Sequence, residues 1–218
     1  MTTVHLLHYG SGNLFSVTRA LEEVGAEVVA AHTAADVADA SRLLIPGVGA
    51  FGECMARMRA QGLVEPVLDY ARSGRPLLGI CVGMQVLFEV GEEFGEHAGL
   101  GLIAGRVVPI AAADTHGRPL KVPHIGWNAL YPPSGTGPAA GPVWADSVLA
   151  EVPVESCAYF VHSFMARPVD PAVELAHVLY GGQRIIAAVK QGNVTGCQFH
   201  PEKSGPVGLG ILKRFSMA

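Results

Sequence analysis

The residues best suited to chemistry in this sequence are a cysteine and the two glycines that flank it. Residues 79–88 are GICVGMQVLF, with Cys81 between Gly79 and Gly83. The pattern G-x-C-x-G is the cysteine form of a nucleophile elbow, a sharp strand-to-helix turn that presents a nucleophile. The amino end of the following helix favours an anionic thiolate. The alternative is a cysteine that packs in the core as a small hydrophobic residue.

A nucleophilic cysteine needs a base, and the base needs a group that orients it. The segment GCQFHPE (196–202) offers His200 as the base and Glu202 as the orienting carboxylate. In an extended chain, residues two apart lie on the same side, and Pro201 restricts the backbone between them. Because the chain has nine histidines, the alternative is a loop histidine beside a solvated glutamate. The order of the two segments favours the catalytic interpretation.

The segment IPGVGAF (45–51) is the third candidate, because its glycines follow a predicted strand. Such a turn directs backbone N–H groups outward, where they stabilise an oxyanion. We predict that Gly47 and Val48, together with Val82 after the cysteine, form the oxyanion hole. The alternative is an ordinary strand-to-helix turn, and the lysine of a phosphate-binding P-loop is absent.

Hydrophobic patterns predict the elements that must position these residues. Strands are predicted at 4–9, 26–31, 41–47 and 75–80, and helices at 12–25, 52–74 with a break near Gly62, and 82–89. Alternation of this kind predicts an α/β fold: an open, mostly parallel twisted sheet flanked by helices. Later strand-like runs, at 99–110, 157–164, 174–182 and 184–202, predict an added antiparallel portion. One of them is a hairpin through 191–193.

The overall organisation is predicted to be a single domain, 1–218, since no repeat or linker separates two cores. The loop 131–142, rich in proline and glycine, is predicted to be the most mobile segment.

Composition limits the function classes. The chain has 218 residues, half of them hydrophobic, and a net charge of −4 without a basic block, which disfavours nucleic acid and membrane surfaces as partners. No run of about 20 apolar residues predicts a membrane span, and no export signal is visible, so we expect a cytoplasmic protein. The four scattered cysteines form no CxxC pair, and we expect no metal and no cofactor.

The three chemical segments together resemble the class I, triad-type glutamine amidotransferases. The resemblance implies a flavodoxin-like fold and a catalytic triad of Cys81, His200 and Glu202. It also implies hydrolysis of the glutamine side-chain amide through a cysteinyl thioester, with delivery of ammonia to a synthase partner. Three further segments, YGSGNLFSV (9–17), KVPHIGWN (121–128) and YFVHSF (159–164), look like those of the glutaminase subunits of imidazole glycerol phosphate synthase.

That closer resemblance implies a partner and a substrate site. The partner is a (β/α)₈ cyclase subunit, which uses the ammonia to form imidazole glycerol phosphate and aminoimidazole carboxamide ribonucleotide in histidine biosynthesis. Phe164 stands where many relatives carry tyrosine. The residues implied to bind glutamine are Gly49, Gln85, Glu93, Ser163 and Phe164. Those predicted at the partner interface, rather than in the core, are Asn13, His124 and Trp127.

Other functions remain open from the sequence. The glutaminases of anthranilate or pyridoxal phosphate synthesis are disfavoured by VPHIGWN and YFVHSF. A cysteine peptidase or amidase on the same sheet would need neither glutamine nor a synthase. A binding subunit without chemistry is disfavoured by the complete triad. We also expect the isolated chain to be a poor glutaminase, because the Gly47–Val48 peptide can turn its N–H away from the oxyanion until a partner docks.

Overall fold

The computed structural model describes residues 2–133 and 143–218 and contains thirteen strands and six α-helices within those ranges. The strands are β1 (Thr2–Leu7), β2 (Ala26–Ala31), β3 (Leu43–Gly47), β4 (Leu77–Cys81), β5 (Phe88–Gly91), β6 (His97–Ala98), β7 (Ile103–Pro109), β8 (His124–Ala129), β9 (Cys157–His162), β10 (Phe164–Pro168), β11 (Glu174–Tyr180), β12 (Gln183–Gln191) and β13 (Val194–Cys197). The helices are α1 (Leu14–Glu23), α2 (Ala34–Asp39), α3 (Phe51–Ala60), α4 (Val64–Arg72), α5 (Val82–Gln85) and α6 (Gly205–Met217).

A seven-stranded sheet forms the centre of the fold, with the order β11-β12-β13-β4-β3-β1-β2. The five strands from β2 to β13 are parallel, whereas β12 and β11 continue the sheet in antiparallel fashion. This confirms the predicted α/β fold with its antiparallel addition. Every residue of β3 and β4 is buried, as expected for apolar central strands covered on both faces.

The register of the central strands brings the three chemical segments to one edge. Gly47 pairs with Cys81 across β3 and β4, and Ile80 pairs with Cys197 across β4 and β13. Because these strands are parallel, the residues that follow all three emerge at the same carboxyl edge, where open α/β sheets bind ligands.

The remaining strands form two smaller units. A four-stranded sheet has the order β10-β7-β5-β6, and β8 pairs with β9 as an antiparallel two-stranded ribbon. The predicted hairpin is confirmed, since Gln191 pairs with Val194 across a two-residue turn. The predicted run 157–164 is interrupted at Ser163, so β9 and β10 belong to different units.

Two sequence-based predictions of elements were wrong or incomplete. The helix predicted over 82–89 ends at Gln85, because Phe88 begins a strand that pairs with Ile103. The helices α2 and α6 were not predicted. The proposed mobile loop, 131–142, lies outside the described residues from 134 onward.

One cluster of buried hydrophobic residues connects all these units. It includes Leu44 of the large sheet, Ile103 of the smaller sheet and Phe160 of the ribbon. The single domain 1–218 stays a prediction. Across the two described ranges, none of the helices has the length and hydrophobicity needed to cross a bilayer.

Candidate active site

Cys81 occupies the turn between β4 and α5 in a strained backbone conformation. Its φ is 55° and its ψ is −113°, a region that residues with a side chain rarely adopt. Such strain concentrates at functional sites, where the surrounding structure maintains it. The side chain is 4% exposed and lines a cavity. The backbone therefore has the geometry expected of a nucleophile elbow.

Glycines allow β3, β4 and α5 to approach one another through their backbones. A Cβ atom built on Gly79 would lie 2.4 Å from the Gly83 carbonyl oxygen, and one on Gly83 would lie 1.9 Å from the Ile45 carbonyl oxygen. A Cβ on Gly47 would lie 2.4 Å from the Gly83 nitrogen. These contacts explain why the turn that carries Cys81 requires glycine on both sides and in the neighbouring strand.

The cysteine at this turn differs from the other buried thiols. Cys54 and Cys197 are also buried, and burial is the main cause that raises the pKa of both thiols. Neither lines the cavity that contains Cys81. Among the buried cysteines, Cys81 is therefore the one whose side chain faces this cavity.

His200 and Glu202 form a hydrogen-bonded pair directly after β13. The His200 Nδ1 atom lies 2.8 Å from Glu202 Oε1, and the two side chains are 3% and 1% exposed. The His200 backbone is anchored to the ribbon, since its N–H donates to the Tyr159 carbonyl and its carbonyl accepts from the Ser204 hydroxyl. These contacts hold the imidazole in place at the edge of the sheet.

The electrostatics of His200 favour its charged form. Burial opposes a charge on the ring, but interactions with Cys81 and Glu202 outweigh burial and raise the pKa of His200 to about 10. The Nε2 atom is buried and has no hydrogen-bond partner among the described residues. Cys81 therefore acts on His200 by proximity rather than through a well-formed hydrogen bond, and Nε2 is free to exchange a proton with a substrate.

The site cavity has a volume of about 320 Å³ at the carboxyl edge of the sheet. A larger cavity of about 450 Å³ lies at the opposite edge, beside the amino ends of β4 and β13, and contains no predicted site residue. We assign the site to the smaller cavity because it combines the reactive groups. Of the residues predicted to act on or bind glutamine, it is lined by Cys81, His200, Val48, Val82, Gly49, Gln85, Glu93, Ser163 and Phe164.

Gly47 and Glu202 are the two predicted site residues that do not line this cavity. Gly47 ends β3 beside Cys81, and Glu202 lies behind His200. Both positions suit supporting roles, since Gly47 shapes the turn and Glu202 orients the imidazole.

The predicted oxyanion donor Val48 makes contacts with Ser11 in this structure. The Val48 carbonyl accepts a hydrogen bond from Ser11 Oγ at 2.6 Å, and the Val48 N–H donates to the same hydroxyl at 3.5 Å. Gly49 follows with a φ of 94°, which requires glycine. The N–H group that would stabilise the oxyanion is thus engaged by Ser11, a residue the sequence did not identify.

The residues predicted to bind glutamine are held by specific contacts. Gln85 Nε2 donates to the Phe164 carbonyl at 3.3 Å and to Gln198 Oε1 at 2.9 Å. Glu93 Oε2 accepts from the Phe51 N–H at 2.8 Å, at the start of α3, and the Ser163 carbonyl accepts from the Ile110 N–H. Because both N–H groups of Gln85 are occupied, its Oε1 atom is the group left to contact a ligand.

The predicted interface residues occupy three different environments. Trp127 is 55% exposed and packs edge-on against Tyr159. Asn13 is half-buried and caps α1, accepting from the Ser16 N–H at 3.4 Å. His124 is fully buried, and its Nδ1 atom lies 3.0 Å from His162 Nε2. The prediction that His124 lies at the surface was wrong, because alternation along β8 directs its side chain inward.

Sequence reasoning missed two side chains that reach the site. Gln198 is fully buried, and its Nε2 atom donates to Cys81 Sγ at 3.8 Å. His162 lines the cavity, and its Nδ1 atom lies 2.8 Å from the Phe164 carbonyl oxygen. Both residues stand inside segments quoted for the resemblance, GCQFHPE and YFVHSF, so their positions could have been noted. Within the two described ranges, no three potential metal-ligating side chains are grouped.

Comparison with known proteins shows the family to which the chain belongs. A family model described as "Glutamine amidotransferase class-I" matches residues 5–217. The chain is 47% identical over 215 residues to "Imidazole glycerol phosphate synthase subunit HisH 1" of Legionella pneumophila (strain Lens), covering 99% of both chains. It is 45% identical over 211 residues to the HisH subunit of Syntrophotalea carbinolica, covering 96% of this chain and 97% of the relative.

Solved structures show the same fold at lower sequence identity. A structure titled "Crystal structure of glutamine amidotransferase" superposes with a TM-score of 0.71 at 19% identity and covers 99% of both chains. "Structure of PurLQS from Thermotoga maritima" superposes with a TM-score of 0.73 at 18% identity, covering 99% of this chain and 98% of the other. The chain therefore belongs to the class I glutamine amidotransferase family, within the group of HisH subunits of imidazole glycerol phosphate synthase.

Proposed function

We propose that this chain is the glutaminase subunit of imidazole glycerol phosphate synthase. It hydrolyses glutamine to glutamate and ammonia and supplies the ammonia to a cyclase subunit in histidine biosynthesis, in the cytoplasm. The observation that carries the proposal is the strained Cys81 in one cavity with His200, whose Nδ1 atom is bonded to buried Glu202 at 2.8 Å. The high identity to HisH subunits supports the specific pathway.

The chemistry follows from these positions. The Cys81 thiolate attacks the side-chain amide carbon of glutamine, and His200 Nε2 donates its proton to the departing ammonia. Glu202 stabilises the imidazolium and holds the ring. Water, deprotonated by His200, then attacks the thioester and releases glutamate. A raised pKa, about 10, keeps His200 protonated beside the thiolate before substrate is attacked.

Partner binding is proposed for the outer face of the β8–β9 ribbon. Ile125 and Trp127 project from this face and are 51% and 55% exposed, and they pair with Val161 and Tyr159. Pro123, directly before β8, and Val161 of β9 line the candidate catalytic cavity, so a partner on this face borders the site. An exposed tryptophan in an apolar surface is typical of an interface anchor.

The turn after β3, which contains Val48, suggests how the partner controls activity. The Val48 N–H contacts Ser11 Oγ at 3.5 Å, and a movement of this peptide would free the N–H to face an oxyanion. We expect the isolated chain to produce glutamate slowly, and we expect the rate to rise when the cyclase and then the ligand of the cyclase are added. Comparable rates for the isolated chain, the complex and the complex with ligand would contradict control by the partner.

The assignment is tested by Cys81→Ala in the assembled enzyme. We expect glutamine-dependent product formation to be lost, whereas formation from ammonium salts continues, because Cys81 acts only on glutamine. Product formation and glutamate release are measured separately. Glutamine hydrolysis by the Cys81→Ala variant would refute Cys81 as the nucleophile. If the parent protein hydrolysed peptide amides but not glutamine, that result would favour a peptidase.

A further inference from the structure

A chain of side-chain hydrogen bonds runs from the ribbon through the core to the sulfur of Cys81. Gln198 Nε2 donates to Cys81 Sγ at 3.8 Å, and Gln198 Oε1 accepts from Gln85 Nε2 at 2.9 Å. Gln85 Nε2 also donates to the Phe164 carbonyl at 3.3 Å. Gln85 and Gln198 are 3% and 0% exposed, so water does not compete for these contacts.

The Phe164 carbonyl determines the direction of the chain, because a carbonyl oxygen only accepts hydrogen bonds. Gln85 must therefore direct its NH₂ group toward Phe164, since the reversed amide would place two oxygens against each other. The same NH₂ group donates to Gln198, which must accept through its oxygen. Gln198 is then left with its NH₂ group toward Cys81. One backbone acceptor thus fixes both amide orientations.

Two neutral histidines are linked to the Phe164 carbonyl, His162 directly and His124 through His162. Because the Phe164 oxygen only accepts, His162 carries its hydrogen on Nδ1, and its Nε2 atom accepts from His124 Nδ1–H. Burial, opposed in His162 by the bond to Phe164, lowers the pKa of His162 to about 3 and also lowers the pKa of His124. Both rings therefore stay neutral at pH 7 and keep these tautomers.

We propose that Gln198 is a further catalytic residue, which donates a hydrogen bond to the Cys81 thiolate, and that Gln85 and His162 are positioning residues that orient it. The proposal rests on the proposed role of Cys81 as the nucleophile. Hydrogen bonds to the charged form of a group favour that form, most strongly where water is excluded. The helix after Cys81 has only four residues, so its dipole is small and stabilises a thiolate weakly. A side-chain donor adds to that stabilisation.

Gln198→Met tests the donor, because methionine has a similar length and no N–H group. The assay is alkylation of Cys81 by iodoacetamide, measured on the Cys81 peptide in a Cys157→Ser background that lacks the exposed thiol. We expect alkylation to be about tenfold slower at pH 7, equal to about 1.4 kcal/mol, and its pH profile to move to higher pH. The control, Gln191→Met at an exposed position, is expected to leave the rate unchanged.

Gln85→Met and the double variant test the positioning. If Gln85 acts through Gln198, Gln85→Met slows alkylation, and adding it to Gln198→Met causes no further loss. The other titratable groups that face Cys81 are unchanged in every variant: His200, Glu93 and Lys203 line the same cavity, and Tyr9 interacts electrostatically with Cys81. A purely structural role would lower the melting temperature without shifting the pH profile.

The proposal is overturned if folded Gln198→Met is alkylated within twofold of the parent rate across the pH range. If Gln198→Met does not fold, Gln198→Leu replaces it, and unchanged alkylation of Gln85→Met then decides against the proposal. Failure of the proposed function is a separate outcome, since it requires glutamine hydrolysis by Cys81→Ala. Alkylation rates do not depend on that hydrolysis.

Discussion

At the scale of single residues, the division of labour between His200 and Glu202 follows from what each atom contacts. Of the two ring nitrogens of His200, Nδ1 is hydrogen-bonded to Glu202, whereas Nε2 has no hydrogen-bond partner among the described residues. We therefore propose that the imidazole moves protons and that the carboxylate orients and stabilises it. The pair is buried, so the orientation persists without competition from water.

These roles predict unequal losses from two substitutions. We expect His200→Ala to lower single-turnover glutamate formation about 10- to 100-fold more than Glu202→Gln, because the base is lost in one case and only its orientation in the other. The measurement is single-turnover formation of glutamate by the complex, with melting temperatures compared as a folding control. Equal losses in two folded variants would contradict the assignment of roles.

At the scale of elements, close backbone contact between β3, β4 and α5 creates the turn that holds Cys81. The contact excludes side chains at Gly79, Gly83 and Gly47, because each Cβ would lie within 2.4 Å of backbone atoms. Since backbone atoms cannot move aside as a flexible side chain does, α5 itself would have to shift. The strained conformation of Cys81 thus depends on the packing of three elements.

Gly83→Ala and Gly210→Ala separate this packing from helix propensity. We expect Gly83→Ala to reduce the free energy of unfolding by about 1–3 kcal/mol, since overpacking has effects of that size, and to reduce glutaminase activity. Gly210 lies within α6 with no atom within 4 Å of its added Cβ, so Gly210→Ala is expected to stabilise by up to about 1 kcal/mol. Denaturant unfolding measures both. Equal effects would refute the close-contact explanation.

At the scale of the whole molecule, the two ends of the central sheet differ in the surfaces that they offer. The carboxyl edge carries the catalytic cavity beside the exposed ribbon, and the amino edge carries the larger cavity near Met217. Trp127 and Met217 are both exposed large hydrophobic residues, at 55% and 64%. Of these two, only Trp127 lies on the ribbon, whose strand β9 also lines the candidate catalytic cavity.

Trp127→Ala is therefore expected to weaken assembly with the cyclase by at least about 2 kcal/mol, because buried tryptophans are frequent interface anchors. The melting temperature of the isolated chain is expected to change little, since the side chain is already half in water. Titration of the cyclase measures assembly, and Met217→Ala is the control. A large loss of thermal stability with unchanged assembly would make Trp127 a structural residue.

The buried histidines also give the whole molecule a pH dependence. An unfolded histidine titrates near 6.5, whereas the pKa of His162 is about 3 in the folded protein. Between these values the unfolded chain binds more protons, so the free energy of unfolding falls as pH decreases below about 6.5, by up to about 1.4 kcal/mol per pH unit. His200 has the opposite sign: its raised pKa stabilises the fold below about 6.5, and this is lost as pH rises toward 10.

The free energy of unfolding falls between pH 6.5 and about 4 because the unfolded chain binds an extra proton. We expect His162→Asn to reduce the slope of this fall by the equivalent of about one proton. Asparagine preserves a donor near the Nδ1 position but does not titrate. Denaturant unfolding at several pH values measures the slope. The exposed His116→Asn is the control and is expected to leave the slope unchanged. Parallel curves for the parent and His162→Asn would contradict the buried neutral ring.

The sequence alone determined the fold class and predicted where the chemistry lies. Glycines around Cys81, the His-Pro-Glu segment and the glycines after β3 are local patterns, and each ends a strand. Parallel strands linked by helices bring such ends to one edge, so local signals sufficed to predict one site there.

Only the tertiary structure decided which side chains surround the sulfur. Gln85 and Gln198 are 113 residues apart, and His124 and His162 are 38 apart, so no local pattern predicts that they meet. The same reason explains the helix that ends early at Gln85, because pairing of Phe88 with Ile103 outweighed local propensity. The burial of His124 and the engagement of Val48 by Ser11 likewise depend on packing between distant segments, which a linear sequence does not display.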